Sequence, residues 1–368
     1  MKILYIAETS LTNKSAYSHH VIKMCDAFVK NGHQVSLITS KKNLNFSFKK
    51  IKKDFALKGR GSFKVISFTF FNLENLISRI IFGIRTVLFL KKRKNIELIL
   101  TRSLITSFIL SLFKVHHFLE IHSELKSFTK IIMINLNFIN SKYIIKKILI
   151  SKALNKIFKF SKNKILVLHD GVDIQNFNKF KKIKKIRNAT YVGSFYSGRG
   201  IEIIIELAKK FKKIKFNLYG NSQNHFKLNL KNVTINNFLP YRKIPFILSK
   251  SDVLLMPYAN YVSVRSKNLN TANYCSPLKM FDYLASGKII ISSKLEGICE
   301  VLKHKNNSII VKNYNIRNWM YSFRNILKKK YPLNKIQKNA FLTSKKYTWE
   351  KRALKIVESA KNRKYEQD

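Results

Sequence analysis

Short apolar runs alternate along the chain with segments whose apolar residues recur at helical spacing. The first run covers residues 2–7, and residues 18–31 then carry apolar positions every three or four residues. Gly32 predicts the end of this helix, and residues 35–39 form a second apolar run. A strand, a helix, a glycine and a strand in this order predict a βαβ unit with a parallel sheet.

The same alternation occurs twice, on either side of a basic stretch. Residues 178–187 hold six lysines and arginines in ten residues without apolar periodicity, which is typical of a solvated linker. Before it, strands are predicted at 96–101, 117–121, 147–150 and 165–168, with helices at 103–113 and 152–158. After it, strands are predicted at 189–192, 216–219, 233–235, 252–256 and 289–292, with helices at 201–211, 241–250, 278–285, 318–329 and from 349 onward. The pattern predicts an α/β protein of two Rossmann-like domains.

The chemistry should lie just after the strands, because parallel α/β domains bind ligands at the carboxyl ends of their strands. In the second domain a glycine-rich turn over 193–200 separates a strand from a helix, and glycines there let backbone N–H groups approach a phosphate. Arg199 in this turn can neutralise a diphosphate. Lys279 falls in the first turn of a helix, and Asp282 is one turn further, where a carboxylate can accept two ribose hydroxyls. An ordinary turn with a surface arginine and a solvated helix acid are the alternative interpretations.

Several stretches in order then resemble glycosyltransferase family 4, whose members are retaining nucleotide-sugar enzymes of the GT-B type, with two facing Rossmann-like domains and a cleft between them. The resemblance covers most of the chain. Its motifs are Gly32-His33-Gln34-Val35, Asp170-Gly171-Val172-Asp173, Leu218-Tyr219-Gly220, Phe238-Leu239-Pro240, the stretch from Ser251 to Tyr258, and Tyr347-Thr348-Trp349-Glu350. The resemblance implies an acceptor-side domain at 1–175, a linker at 176–187, a nucleotide-sugar-binding domain at 188–348, and a last helix, 349–368, that crosses back to the first domain.

In that family a pair of basic residues holds the donor diphosphate. A motif of two glutamates separated by seven residues also holds the donor. Arg199 and Lys279 match the pair, and Asp282 matches the second acid. The position of the first acid is occupied by Tyr274, so the carboxylate of the motif is missing there. The resemblance places Tyr274 near the acceptor or the cleft. The remaining donor-binding residues that the resemblance implies are Gly193, Ser194, Gly220, Leu239, Tyr258, Ser276 and Leu278.

In the first domain His122 follows an apolar strand and precedes a polar turn, which points it out of the strand end. It matches the family's active-site histidine, which implies a hydrogen bond to the donor sugar; a structural histidine is the alternative. Arg102 ends the preceding strand and is expected to face the cleft or the acceptor. Glu120 shares a strand face with His122 by alternation but lies deeper, which indicates a structural role. His19 and His20 are expected only to begin a helix.

Charge adds a statement about partners. With 71 lysines and arginines against 19 acids, the formal charge is +52, which favours an acidic partner although AT-rich codon usage explains part of it. The segments 76–90 and 126–147 mix apolar and basic residues, which suits an anionic membrane surface or, equally, an amphipathic core helix. No 18-residue stretch is free of charge, the start is too short for a signal segment, and three scattered cysteines fit a reducing cytoplasm. The expected location is cytoplasmic or at the inner face of the plasma membrane.

The sequence therefore predicts sugar transfer from a nucleotide-diphosphate sugar to a hydroxyl of a glycan or lipid-linked acceptor, in surface polysaccharide or lipopolysaccharide synthesis. No Asp-x-Asp motif is present, so neither a metal nor a cofactor is predicted; the nucleotide sugar is a substrate. A nucleotide-sugar epimerase of the same fold and a non-catalytic scaffold remain alternatives. Nucleic acid is not expected as a partner, because the chain has no recognisable nucleic-acid-binding module.

Overall fold

The computed structural model describes the whole chain except residues 10, 12–14, 41–46, 59–60, 69–74, 94, 178–179, 181, 221–229, 264–268, 313 and 365–368. The chain divides into two compact units. The first unit comprises Met1–Ile150, Leu154–His169 and Trp349–Asp368. The second comprises Ser151–Ala153 and Asp170–Thr348.

A parallel sheet of seven strands forms the centre of the first unit. Its strands are β1 (Lys2–Ala7), β2 (Gln34–Ser40), β3 (Lys64–Phe68), β4 (Leu98–Thr101), β5 (His117–Ile121), β6 (Ile144–Leu149) and β7 (Ile165–Val167). The helices are α1 (Ala16–Lys30), α2 (Phe48–Phe55), α3 (Leu76–Lys91), α4 (Leu104–Leu112), α5 (Ser127–Lys130), which continues into a π-helical turn (Ile131–Asn135), and α6 (Lys152–Phe158). The strand order is β3-β2-β1-β4-β5-β6-β7, so the order reverses between β1 and β4.

The second unit repeats this plan with six parallel strands. They are β8 (Asn188–Val192), β9 (Lys215–Tyr219), β10 (Val233–Asn236), β11 (Val253–Met256), β12 (Ile289–Ser293) and β13 (Ile309–Val311). The helices are α7 (Ile201–Lys210), α8 (Ile244–Ser249), α9 (Leu278–Ser286), α10 (Glu296–Cys299), α11 (Ile316–Leu327) and α12 (Leu333–Ser344). The order β10-β9-β8-β11-β12-β13 reverses between β8 and β11. The last helix, α13 (Trp349–Lys364), belongs to the first unit and packs on α1.

The central strands are apolar along their length because helices cover both faces of each sheet. In β1, every residue from Ile3 to Ala7 is buried, and all four residues of β11 are buried. Two apolar layers pack on the second sheet, one with Trp319 and Phe323 of α11 and one with Phe281 of α9. Because the strands of each sheet run parallel, their carboxyl ends, and the residues that follow them, lie at one edge of the sheet.

The structure confirms the predicted class, two Rossmann-like α/β units built on parallel sheets. Five elements were not predicted: α2, β3, α10, β13 and α12. The helix predicted over 241–250 is instead a 3₁₀ turn, Tyr241–Lys243, followed by α8, because Pro245 stands at the start of an α-helix where its missing N–H costs nothing. The basic linker predicted at 176–187 lies partly outside the described residues.

The glycines of the turn after β8 have a packing role that the sequence analysis did not assign. Gly198 and Gly200 have φ of +79° and +72°, in the left-handed region that favours glycine. A Cβ on Gly198 would overlap the carbonyl oxygen of Tyr261, and a Cβ on Gly200 would overlap that of Pro257. These glycines let the turn pack directly against the backbone that follows β11. That packing positions Arg199, which lies between them.

We expect Gly200→Ala to destabilise the second unit by more than about 2 kcal/mol, because it combines a left-handed φ with a backbone clash. Gly287→Ala is the matched control in the same unit: Gly287 also has a positive φ, +61°, but its Cβ would meet a side-chain atom of Phe180 at 3.0 Å and backbone no closer than 3.8 Å. The free energy of unfolding of both variants is measured by urea titration, with hydrogen exchange in β8 and α7 as the readout. Equal losses for the two variants would contradict the role of the clash.

Candidate functional site

Two cations of the second unit lie together at the point where its strand order reverses. Arg199 follows β8, and Lys279 is the second residue of α9. The guanidinium carbon of Arg199 lies 5.2 Å from the ring centroid of Tyr258, and the ammonium of Lys279 lies 5.4 Å from the same centroid. Lys279 also lies 3.8 Å from the ring centroid of Tyr191. We call these four residues the cation cluster.

The cation cluster contains two basic side chains and no counterion among the described residues. The Nη2 of Arg199 donates a hydrogen bond to the Ser263 carbonyl, 3.0 Å away. Its Nε and the Nζ of Lys279 are buried without a hydrogen-bond partner in the described part of the chain. Burial raises the pKa of the neighbouring Cys275 thiol to about 11 and that of Tyr258 to about 12, so neither group supplies a negative charge at neutral pH. The cluster is therefore an incomplete site that an anion would complete.

The missing counterion affects the pKa of Lys279. Burial, and then the nearby charge of Arg199, hold the pKa of the Lys279 ammonium well below its usual range. Both cations also stand at the start of a helix, where the helix dipole disfavours positive charge and favours an anion. An arriving phosphate would relieve both effects.

Two glycines make room for this arrangement. A Cβ on Gly193 would lie 2.6 Å from the Lys279 Nζ, so only glycine lets the ammonium approach the end of β8. A Cβ on Gly220, at the end of β9, would overlap the Gly193 carbonyl oxygen. The Ser194 carbonyl accepts a hydrogen bond from the Tyr191 hydroxyl at 2.8 Å. The structure thus brings Gly193, Ser194 and Gly220 to the cluster.

The other predicted donor-binding residues have different surroundings. Asp282 is only 6% exposed and accepts a hydrogen bond of 2.8 Å from the Tyr241 hydroxyl, so ribose hydroxyls would share its carboxylate with Tyr241. Leu239 packs against the core layer beneath α9. Ser276 is buried, and it lies two residues before Leu278, which is the first residue of α9. Tyr274 is completely buried, and its carbonyl accepts a hydrogen bond from Ser151 within the second unit.

The first unit contains a second polar group, centred on Glu120 in β5. The Oε1 of this buried carboxylate lies 2.5 Å from the Arg352 Nη2, and 2.8 Å from the Nε2 of both His20 and His122. Its Oε2 accepts a hydrogen bond of 2.7 Å from the Tyr5 hydroxyl. We call these five residues the histidine cluster.

Electrostatics define the protonation states in the histidine cluster. Burial alone would raise the pKa of Glu120, but Arg352 and the two histidines hold it well below its usual range. Burial, and then the charge of Arg102, lower the pKa of His122 to about 3, so its imidazole is neutral at pH 7. Because Glu120 is ionised, the Nε2 of His122 carries the proton and donates a hydrogen bond to the Glu120 carboxylate. This leaves Nδ1 as a hydrogen-bond acceptor. His122 can therefore accept a hydrogen bond from a sugar hydroxyl.

Sequence reasoning underestimated His20 and missed Arg352. His20 does stand near the start of α1, as expected, but it is buried against Glu120. His20, Glu120 and His122 also have the composition of a metal site, with their ligand atoms within 4.8 Å of one another. The guanidinium of Arg352 already occupies the shared Oε1, and a cation there would have to displace it. The group therefore fits a buried ion-pair network better than a metal.

Comparison with known proteins identifies the class. Residues 187–329 match the family model described as glycosyl transferases group 1, so the second unit contains a glycosyltransferase domain. A 173-residue stretch is 26% identical to an uncharacterised 41.2 kDa protein in the cps region of Klebsiella pneumoniae, covering 43% of this chain and 48% of that protein. The chain thus spans about half the length of this curated relative.

Solved structures share the fold over the whole chain. A glycosyltransferase from Rickettsia africae has a TM-score of 0.73 at 14% identity, with 98% of each chain covered. HepE from Anabaena, in complex with UDP, has a TM-score of 0.73 at 13% identity, covering 98% of this chain and all of that one. The lipopolysaccharide outer core galactosyltransferase WaaB has a TM-score of 0.71 at 11% identity, covering 99% and 100%. The fold is the GT-B fold of two Rossmann-like domains.

We expect Arg352→Met to destabilise the first unit by about 3–5 kcal/mol, because it leaves the buried Glu120 carboxylate without its strongest partner. Glu350→Gln is the matched control on α13: Glu350 pairs with Lys30 at 3.3 Å, but its side chain is 32% exposed and Lys30 keeps its pair with Asp26 at 2.8 Å, so the loss should stay below about 1 kcal/mol. Hydrogen-exchange protection of α13 measures both. A double variant with Glu120→Gln should regain part of the loss, and no recovery would contradict the pairing.

Proposed function

We propose that the protein is a retaining glycosyltransferase of family 4 that moves a sugar from a nucleotide-diphosphate sugar to a hydroxyl of a glycan or lipid-linked acceptor. The observation that carries the proposal is the cation cluster, in which the Arg199 Nε and the Lys279 Nζ are buried without a hydrogen-bond partner among the described residues. A diphosphate supplies the missing charge, and it is also the leaving group of this reaction. Relatives of the same fold have been crystallised with UDP and UDP-glucose, which supports a nucleotide sugar as donor.

The proposed mechanism uses few groups. Negative charge grows on the diphosphate as the bond to the sugar breaks, and the two cations and the starts of α7 and α9 stabilise it. This stabilisation serves without a metal ion. His122, held neutral by its surroundings, accepts a hydrogen bond from the donor sugar and orients it, while Asp282 binds the ribose. The leaving diphosphate takes the proton of the acceptor hydroxyl.

A role in surface polysaccharide or lipopolysaccharide synthesis has the support of two comparisons. The curated relative is encoded in a cps region, and WaaB is named as a lipopolysaccharide galactosyltransferase. Acceptors of this kind are carried on lipids. A location at the inner face of the plasma membrane would bring the enzyme to them.

The surface of the first unit fits such a location. Large apolar side chains of α3, the end of α4 and the turn after α5 are exposed: Ile77, Leu88, Leu112, Phe113, Ile131 and Leu136. Lysines accompany them, and the Lys91 ammonium lies 5.7 Å from the Phe113 ring centroid. Exposed apolar residues beside basic ones suit an anionic lipid surface. Among the described residues, no helix has the length and apolarity to cross a bilayer.

We expect Lys279→Ala to weaken binding of a nucleoside diphosphate by about tenfold or more, since a charge-assisted hydrogen bond contributes roughly 1.5–3 kcal/mol. Lys250→Ala, which removes an exposed lysine over the Phe246 ring in the same unit, should change nothing. Calorimetry with a panel of nucleoside diphosphates measures affinity and identifies the base.

Product analysis with nucleotide sugars and extracted glycolipids then tests the reaction, and NMR of the product tests retention of the anomeric configuration. An epimer formed without acceptor would instead identify an epimerase. Equal nucleotide affinity in Lys279→Ala and wild type would contradict the proposed donor site.

For the membrane location, we expect Ile77→Asp with Leu88→Asp to abolish co-sedimentation with vesicles that contain phosphatidylglycerol, because the charges oppose insertion of the apolar face. Phe246→Asp, which places a similar charge at a 58% exposed phenylalanine of the second unit, is the control and should still bind. The anionic-surface proposal would be refuted if the wild-type protein did not co-sediment with these vesicles, or if it bound vesicles of pure phosphatidylcholine equally well.

A further inference from the structure

A cavity of about 300 Å³ opens in the first unit where its strand order reverses. Three of its wall residues follow three neighbouring strands: Glu8 follows β1, Arg102 follows β4 and His122 follows β5. The other polar wall residues are Tyr17, Arg79, Glu120 and Ser123. The reversal point of a parallel sheet is where such folds bind ligands, and the volume suits a small molecule.

The acids of this cavity are already neutralised. Glu8 accepts a hydrogen bond from the Arg79 Nε at 2.7 Å and another from the Ser103 hydroxyl. Glu120 is paired with Arg352, as described above. Neither carboxylate is left to balance a further cation.

Arg102 is that further cation. Its backbone N–H donates to the Ile6 carbonyl at 3.2 Å, and its guanidinium carbon lies 4.1 Å from the ring centroid of Tyr17. Stacking on the tyrosine fixes the plane of the guanidinium but satisfies none of its N–H groups. The Nη1 of Arg102 is buried and has no hydrogen-bond partner in the described part of the chain.

The balance of the cavity is therefore one positive charge in excess, carried by a planar and oriented group. A guanidinium in this state matches the two oxygens of a phosphate or carboxylate, to which it can donate two parallel hydrogen bonds. A neutral sugar would leave the charge uncompensated. His122, beside it, is assigned to the donor sugar in the proposed function, and its neutral imidazole adds no charge that could balance Arg102.

We propose that this cavity selects an acidic acceptor: a sugar that carries a phosphate or a carboxylate, with Arg102 as the anchor of the oxyanion. The proposal rests on the proposed function, since it assigns the acceptor to the first unit. It narrows the substrate class from any glycan to glycans whose acceptor residue is charged. A lipid-linked sugar phosphate and a uronic acid residue share this chemistry.

The test is calorimetric titration of the full chain, at constant ionic strength, with a hexose 1-phosphate, a hexuronate and the neutral hexose as probes. We expect one or both acidic probes to bind and the neutral hexose to bind about tenfold or more weakly. Preference for the phosphate would identify a sugar phosphate as the source of the oxyanion, and preference for the hexuronate would identify a uronic acid. Equal binding of all three would overturn the proposal.

Arg102→Gln should weaken the acidic probe by about 10- to 100-fold and leave the neutral hexose unchanged. Arg102→Lys keeps the charge and should give an intermediate loss, because an ammonium cannot form the paired hydrogen bonds. Arg93→Gln is the matched control: it also removes a guanidinium that lies over an aromatic ring of the first unit, 5.5 Å from the Phe89 centroid. An equal loss in Arg93→Gln and Arg102→Gln would show non-specific attraction to a basic protein and would overturn the proposal.

Nucleoside-diphosphate binding, measured on the same proteins, separates the two proposals. If the affinity for the acidic probes is unchanged in Arg102→Gln while nucleotide affinity still falls in Lys279→Ala, the acceptor site is overturned and the proposed function stays intact. Acidic probes that depend on Arg102 in a protein that binds no nucleotide would refute the proposed function alone. Far-ultraviolet circular dichroism confirms that each variant is folded before it is titrated.

Discussion

The ionised Glu120 is the constraint around which the first unit is organised. A buried carboxylate is costly unless several donors compensate it. Here its polar partners come from β1, α1, the residue just after β5, and α13, which are far apart in sequence. The same charge that ties the last helix to the first unit also sets the tautomer of His122. Stability and the chemistry of the site therefore depend on one group.

The second unit uses the opposite arrangement. The cation cluster leaves the Arg199 Nε and the Lys279 Nζ buried without a hydrogen-bond partner in the described part of the chain, and the diphosphate of the proposed function would recover the stability that this costs. The close backbone packing at Gly198 and Gly200 holds Arg199 in that position. Preorganised charge of this kind stabilises a developing negative charge without further rearrangement.

Much of the fold could be predicted from the sequence, because buried parallel strands appear as apolar runs and helices as periodic ones. The elements that escaped have weak signals: β13 has three residues, and α12 buries only two apolar residues, Ile336 and Ala340, beside two polar ones. For the site, Arg199, Lys279 and His122 stood in recognisable motifs. Arg352 and His20 did not, since their importance comes from a contact with Glu120 that only the folded chain creates.

The lowered pKa of Lys279 has a thermodynamic consequence for ligand binding. An empty site lets the ammonium lose its proton more easily than a free lysine does, and a bound anion restores its hold on that proton. Binding of the proposed diphosphate would therefore be linked to proton uptake by Lys279, at any pH between its lowered pKa in the empty site and its pKa in the complex. The proton count of the complex, obtained from the binding enthalpy in buffers of different ionisation heat, becomes a measure of how far the empty site holds its lysine uncharged.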